Sequence, residues 1–258
     1  MAMKLNLSSD FFNKKYLPYL NDNTRTMVFM GGAGSGKSHF VTQRAILKSL
    51  KSKRRTLVVR KVQATIRDSV FKLFVDQLIQ MDIYKFCKVT TSNLSIKLPN
   101  GSEFIFKGMD DPEKIKSITG IDDIIIEEAT EVTLDDFSQL NLRLRSGADN
   151  QQIILMFNPV SKENWVYPYF FKQKPRDTVI VKTTYKDNRF LPFDYVKSLK
   201  AYKATNPLYY QVYCLGNFGN LGKKVFENWK EETFDVNQLI KDNTNLKTCI
   251  AIDFGLFV

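Results

Sequence analysis

Apolar positions in this chain fall into short unbroken runs separated by segments of helical spacing. Thr26–Met30 is a short apolar run that stops at Gly31, as a buried strand does. Ser38–Leu50 then reads as a helix, and Thr56–Val59 as a second buried strand. Over Ser69–Met81 the apolar residues Val70, Phe71, Phe74, Val75 and Leu78 recur at helical spacing. Leu94, Ile96 and Leu98 alternate with polar residues. Pro99-Asn100-Gly101 turns the chain, and Phe104 and Phe106 alternate back, which predicts a β-hairpin. Ile121–Ile126 is a buried strand ending in two acids, Leu134–Leu144 a helix, and Gln152–Phe157 another buried strand ending at Asn158-Pro159.

Strands that alternate with helices imply a mostly parallel sheet covered on both faces. After Pro159 the texture changes. Trp165–Phe171 is aromatic, Val179–Thr184 reads as a strand and Asp194–Thr205 as a helix. Gly216–Lys224 carries three glycines and has the composition of a linker. Cys249–Ile252 opens a new apolar strand near the end of the chain.

Composition narrows the class without deciding it. The 258 residues suffice for one large α/β domain with an appendage, or for two small domains. Cys87, Cys214 and Cys249 are far apart. With a single histidine, His39, they offer no plausible zinc set and no disulfide framework, as expected in a reducing cytosol. The polar first ten residues are unlike a secretory signal, and no apolar run approaches the roughly 20 residues of a membrane span. The net charge of +11 is uneven, because residues 1–60 hold 12 Lys/Arg against Asp10 and Asp22. Lys48, Lys51, Lys53, Arg54 and Arg55 form a dense cluster. It reads either as a patch for phosphate polyanions or as a solvated loop whose cations face a helix C-terminus.

Gly31-Gly32-Ala33-Gly34-Ser35-Gly36-Lys37-Ser38 satisfies G-x-x-x-x-G-K-[ST] at every fixed position, after a strand and at the start of a helix. Glycines there let the backbone turn its N–H groups onto phosphates, and the helix N-terminus adds positive potential. Lys37 is expected to reach the β- and γ-phosphates of ATP, and Ser38 to ligate Mg²⁺. The strand Ile124-Ile125-Ile126 ends in Glu127-Glu128. Glu127 is the candidate magnesium residue, where aspartate is commoner, and Glu128 the candidate general base for the attacking water. Asn158, at the end of the next strand, is a candidate γ-phosphate sensor. The loop has no arginine of its own. Arg143 and Arg145, expected to close the helix after Glu128, are candidates to act on a neighbouring subunit's phosphate, with Arg60 and Arg67 as rivals.

Taken in order, these motifs resemble the large subunit of tailed-phage terminases. The resemblance rests on Arg60-Lys61-Val62-Gln63, Arg67-Asp68-Ser69-Val70-Phe71, Phe106 to Pro112, Ile126 to Glu131, Leu142 to Arg145 and Phe157-Asn158-Pro159. Thr183 to Asn188 and Leu215 to Gly219 extend it over nearly the whole chain. Gln63 joins the candidate nucleotide-binding residues. The fold expected is a RecA/ASCE-like P-loop NTPase with a mostly parallel sheet, flanking helices, a β-hairpin insertion and a small C-terminal lid. Residues 1–215 form the ATPase domain with its lid, 216–244 a linker, and 245–258 the first strand of a ribonuclease H-like nuclease.

The family implies a five-subunit motor that drives double-stranded DNA into a procapsid, with portal protein and terminase small subunit as partners. The expected location is the host cytoplasm at the portal, and a monomer in isolation is compatible with the resemblance. Ile250 to Gly255 resembles the first nuclease strand, with Asp253 at a metal-ligand position. Only five residues follow Asp253, so an N-terminal fragment without nuclease activity is expected. Two positions depart from the family pattern: Ala33 stands where some members carry a basic residue, and Asn158 where Ser or Thr is frequent. The rival readings are a small-molecule kinase or GTPase, a helicase-like translocase, and a nucleotide-gated assembly protein without turnover. No N-K-x-D guanine signature is present, and adjacent Glu127-Glu128 favours water as the nucleophile.

Overall fold

In the computed structural model, residues 5–110 and 118–219 are described, together with positions 235, 238 and 241. The strands are β1 (Thr26–Gly31), β2 (Arg55–Arg60), β3 (Lys88–Thr90), β4 (Ser95–Lys97), β5 (Glu103–Gly108), β6 (Asp123–Glu127), β7 (Gln152–Phe157) and β8 (Thr178–Thr183). They form one sheet in the order β3-β4-β5-β2-β6-β7-β1-β8. From β5 to β8 every neighbouring pair is parallel, so these six strands all end on one edge. The expected hairpin is present as β4 and β5, and β3 extends it antiparallel. β3 escaped the pattern analysis because three half-exposed residues carry almost no periodicity.

The unbroken apolar runs follow from burial on both faces. Met27 and Phe29 of β1 point into one core with Phe40, Val41 and Phe74, while Val28 and Met30 point into a second with Phe137, Leu140 and Phe170. β2, β5, β6 and β7 divide their residues between the same two cores. The first core is covered by α1 (Lys37–Lys51) and α2 (Lys72–Gln80), and the second by α3 (Leu134–Asn141) and the aromatic segment 165–171. Each large side chain fully buried this way contributes about 1.5–3 kcal/mol.

Two helix ends differ from the sequence expectation, and the aromatic segment, for which no element was expected, forms one. The helix expected over Ser69–Met81 begins with a π-helical turn, Arg67–Phe71, in which Phe71 N–H donates to Ile66 O. The extra residue in that turn lets adjacent Val70 and Phe71 both be buried. The helix expected to reach Leu144 stops at Asn141, although a Thr133–Asp136 capping box starts it firmly. Arg143 and Arg145 therefore lie in the turns after α3 and do not close it. Finally, Trp165–Phe171 runs into a π-helical turn, Pro168–Gln173, packed on Phe137.

α4 (Phe193–Thr205) lies outside the sheet and buries only Leu199. A further π-helical turn, Tyr210–Cys214, follows it. The chain divides into two compact units, 1–221 and 222–258. The expected linker beyond residue 219, the strand at Cys249–Ile252 and Asp253 lie outside the described stretches. Among the described residues no helix is long and apolar enough to cross a membrane.

Candidate nucleotide site

The glycine-rich loop Gly31–Ser38 joins β1 to α1 on the edge where the parallel strands end. Gly36 has φ +82° and stands immediately before the first helical residue, a conformation that L side chains rarely adopt. Gly32 is needed for a different reason: a Cβ there would collide with the carbonyl oxygen of Tyr213. The loop is thus pressed against the 210–216 segment, and Ala33 N–H donates to Tyr213 O at 2.5 Å.

Sequence-distant residues hold the loop in place. The Tyr16 hydroxyl donates to Ser35 O at 3.0 Å and lies 2.7 Å from Thr183 Oγ1, while its ring stacks on Phe40 at 4.6 Å. Burial raises the Tyr16 phenol pKa, so it stays a neutral donor. Asn188 donates to Gly34 O at 2.7 Å and accepts from Asn13 Nδ2 at 3.1 Å. Motif reading found none of these roles. Asn13 and Tyr16 precede the loop in an unpatterned segment, and the Thr183–Asn188 segment offers no chemistry until it is folded against the loop.

Lys37 is the first residue of α1. Its ammonium donates to Asn158 Oδ1 at 2.7 Å, beyond the end of β7. Burial lowers the Lys37 pKa, and the carboxylates of Glu128 and Glu127 act in the opposite direction. Ser38, one residue on, has a hydroxyl with no hydrogen-bond partner among the described residues.

β6 ends at Glu127, beside Arg60 at the end of β2, with Arg60 Nη1 3.8 Å from Glu127 Oε2. Burial pushes the Glu127 carboxyl up to about 7; Arg60 opposes this and Glu128 adds to it. Glu128 follows in the left-handed region at φ +52°, a conformation costing a glutamate about 1–3 kcal/mol. That left-handed residue breaks the strand path, and β6 ends one residue earlier at Glu127. Ser35 Oγ, Glu127 Oε2 and Arg60 Nε are buried without a hydrogen-bond partner, the Arg60–Glu127 approach being an ion pair at longer range. Orphaned polar atoms beside a backbone cradle fit a polar ligand such as a magnesium-bound polyphosphate.

Not every expected residue converges on this edge. The side chain of Gln63 accepts from Gly108 N–H at 2.5 Å, between the ends of β2 and β5, and β6 and β7 separate β2 from the strand that carries the loop. It caps β5 and is not brought to the phosphate loop. Arg143 and Arg145 lie next to Ser146, whose hydroxyl donates to Asp122 just before β6 begins. Asp122 precedes β6, on the edge of the sheet opposite the strand ends that carry the loop. The basic cluster is partly spent on structure. Lys48 and Arg54 turn inward to Asp123 at 2.7 and 3.2 Å, and Arg55 pairs with Glu103 at 2.9 Å. Lys51 donates to Asn21 at 2.7 Å. His39 stands 3.3 Å from Gln77 and belongs to no catalytic group.

β7 lies between the strand that carries the loop and the strand that carries the two acids. That order, with the loop, the acids and Asn158 on one edge, defines a P-loop NTPase of the ASCE class. The chain belongs to the phage terminase large subunit family, whose profile, described as "Phage terminase large subunit", matches residues 23–217. It is 34% identical to the PBSX phage terminase large subunit of Bacillus subtilis (strain 168), covering 93% of this chain and 58% of that protein. It is 29% identical to the large terminase subunit of Bacillus phage SPP1, covering 94% of this chain and 62% of that protein. The chain thus spans about six tenths of the length of these relatives. Among solved structures, the large terminase of a thermophilic bacteriophage in complex with ADP matches with a TM-score of 0.65 at 16% identity, over 80% of this chain and 53% of that one. The large terminase ATPase domain of Thermus phage P74-26 matches with a TM-score of 0.63 at 16% identity, over 84% of this chain and all of that one.

Proposed function

We propose that this chain is the ATP-hydrolysing motor part of a terminase large subunit, coupling turnover to movement of double-stranded DNA into a procapsid. The observation that carries the reading is the convergence of Lys37, Glu127, Glu128 and Asn158 on the strand-end edge that bears the phosphate loop. The loop amides and Lys37 hold the β- and γ-phosphates. Ser38 and Glu127 would hold magnesium, which neutralises phosphate charge when bound. Glu128, turned out of the strand by its left-handed backbone, takes the proton of the attacking water. Asn158 gives up Lys37 when phosphate arrives and recovers it when phosphate leaves, so the end of β7 senses the site's occupancy.

Arg143 or Arg145 acts on a neighbouring copy, a role supported by their place after α3, next to Ser146, which bonds to Asp122 ahead of β6. The portal protein and small subunit, a pentameric ring at the procapsid, the host-cytoplasmic location, the 1–215 domain boundary and DNA contacts from residues such as Lys51 and Lys53 follow from the family reading. A helicase-like translocase or a nucleotide-gated assembly protein would use the same loop.

The test is ATP hydrolysis against protein concentration, with and without double-stranded DNA, for the wild type and Glu128→Gln. Turnover rising faster than linearly with protein, and lost in the variant, supports a motor with shared sites. Tight ATP binding without turnover at any concentration supports the assembly reading instead.

A further inference from the structure

At the far end of α1 from the phosphate loop lies a second concave site. A cavity of 450 Å³ is walled by the last two turns of α1, by segments between residues 5 and 23, and by Ser52, Arg54 and Asn150. Asn23, Arg54 and Asn150 stand just before β1, β2 and β7 begin, so the cavity lies on the sheet edge opposite the loop. It shares no residue with Gly31–Ser38, and the ends of the 15-residue helix α1 are about 21 Å apart.

The wall is cationic. Arg44, Lys48, Lys51 and Arg54 all line the cavity, and no acidic side chain does. Asp123, behind the wall, takes Lys48 and Arg54, and Asp22 is close enough to Arg44 to act on its charge. Four cations against these two carboxylates leave two positive charges. The C-terminal end of α1 offsets only about half a charge.

Two donors in this wall are unspent. Arg44 is 2% exposed. Its Nε donates to Tyr19 O at 3.0 Å, and its Nη2 to Gln152 Oε1 at 2.8 Å and to Asp22 O. Its Nη1 is buried with no partner among the described residues. Lys51, at the exposed rim, gives one of its three ammonium hydrogens to Asn21. A buried guanidinium N–H is costly to leave without an acceptor. Water would pair the donor but leave the positive charge unmatched. Leu5, Leu20 and Leu47 line the remainder, a surface for an apolar body.

We infer that this cavity binds a small organic phosphomonoester, with its phosphate on Arg44 and Lys51 and its carbon skeleton on the leucines. A phosphomonoester carries a charge of about −1.5 to −2 at neutral pH, which matches the excess in the wall. A carboxylate or a phosphodiester carries only −1. The phosphodiesters of a DNA duplex also sit on a continuous backbone, which an enclosed cavity of this volume does not admit.

The probe is phenyl phosphate, titrated calorimetrically into the full chain carrying Lys37→Ala, which disables the phosphate loop. The same chain is then tested with Lys51→Ala or Arg44→Lys added, after thermal melts show which variants fold. One-to-one binding is expected. Lys51→Ala should weaken it about tenfold, the worth of one charge-assisted hydrogen bond, and Arg44→Lys at least as much. Lys51 is exposed, so its variant decides the matter even where Arg44→Lys does not fold. Inorganic phosphate should bind more weakly than phenyl phosphate, because it has nothing to lay on the leucines; equal affinity would overturn the apolar half of the site. No binding of phenyl phosphate, or an affinity unchanged in folded Lys51→Ala, would overturn the inference. A short DNA duplex that binds through Lys51 and Arg44 while phenyl phosphate does not bind would overturn it too, and would give these donors to the DNA backbone.

Discussion

The ammonium of Lys37 donates to the side-chain oxygen of Asn158 at 2.7 Å, tying the first turn of α1 to the end of β7. In that position the lysine already holds a partner that phosphate must displace. Removing the oxygen should free Lys37 for phosphate while erasing the signal that β7 receives. Asn158→Ala is therefore expected to keep ATP affinity within about fivefold, since a net hydrogen bond is worth about 1 kcal/mol. Turnover in the presence of DNA should fall more than binding does. Equal losses in Kd and kcat would make Asn158 an ordinary binding residue.

Glu128 is expected to act as the base. Glu128→Gln should retain ATP binding and lose turnover by about 10²–10⁴-fold, the contribution of general base catalysis. Isothermal titration beside a phosphate-release assay separates the two quantities. Turnover near the wild-type rate would remove Glu128 from this role.

Arg143 and Arg145 follow α3, close in sequence to Ser146, which bonds to Asp122 ahead of β6, and one of them is proposed to act on another copy's phosphate. Mixing Glu128→Gln subunits with Arg143→Ala or Arg145→Ala subunits should then restore ATPase activity that neither parent has. Restoration arises at contacts pairing an intact Glu128 with an intact arginine. If every mixture stays as inactive as its parents, the trans assignment fails for that arginine.

Tyr16 anchors the phosphate loop from beneath. Tyr16→Phe keeps the stack on Phe40 but leaves Ser35 O and Thr183 Oγ1 without the hydroxyl. A loss of about 1–2 kcal/mol in unfolding free energy is expected, together with weaker ATP binding. Denaturant titration with and without ATP reads both; a variant with wild-type stability and affinity would show the hydroxyl to be dispensable.

The Lys48–Asp123–Arg54 group gives a pH signature. Burial lowers the Lys48 pKa to about 8 against the pull of Asp123, so between about pH 8 and 10.5 the folded chain binds fewer protons at Lys48 than the unfolded chain. Stability contributed by this site should rise with pH across that window, by up to about 3 kcal/mol. Lys48→Met should flatten the rise relative to wild type in melts taken from pH 7 to 10.5. Asp123→Asn should instead cost about 3–5 kcal/mol at pH 7, because buried Arg54 and half-buried Lys48 lose their carboxylate.

The strand runs were legible because burial on both faces leaves an unbroken apolar signature, as at Ile124–Ile126 and Gln152–Phe157. The phosphate loop was legible because its constraints are local: Gly36 needs a positive φ, and Lys37 must follow it at the helix start. Glu127 and Glu128 stood out because acids directly after such a strand are unusual. Gln63 shows the limit of this reasoning. Its place after β2 fitted the motif order, but strand order puts two strands between β2 and β1. The basic cluster shows it again, since charge alone could not separate Lys48 and Arg54, which turn inward, from the exposed Lys51 and Lys53.

By itself the sequence determined that the chain folds into alternating strands and helices, carries a phosphate loop and presents two carboxylates at a strand end. Those features rest on side-chain period, backbone conformation and neighbours within a few residues, all of which are written along the chain. Only the tertiary structure decided that Asn158 meets Lys37 and that Tyr16 and Asn188 hold the loop. These depend on contacts between residues up to 175 positions apart, as between Asn13 and Asn188. Such contacts are set by strand order and by which backbones approach closely, and neither leaves a local mark in the sequence.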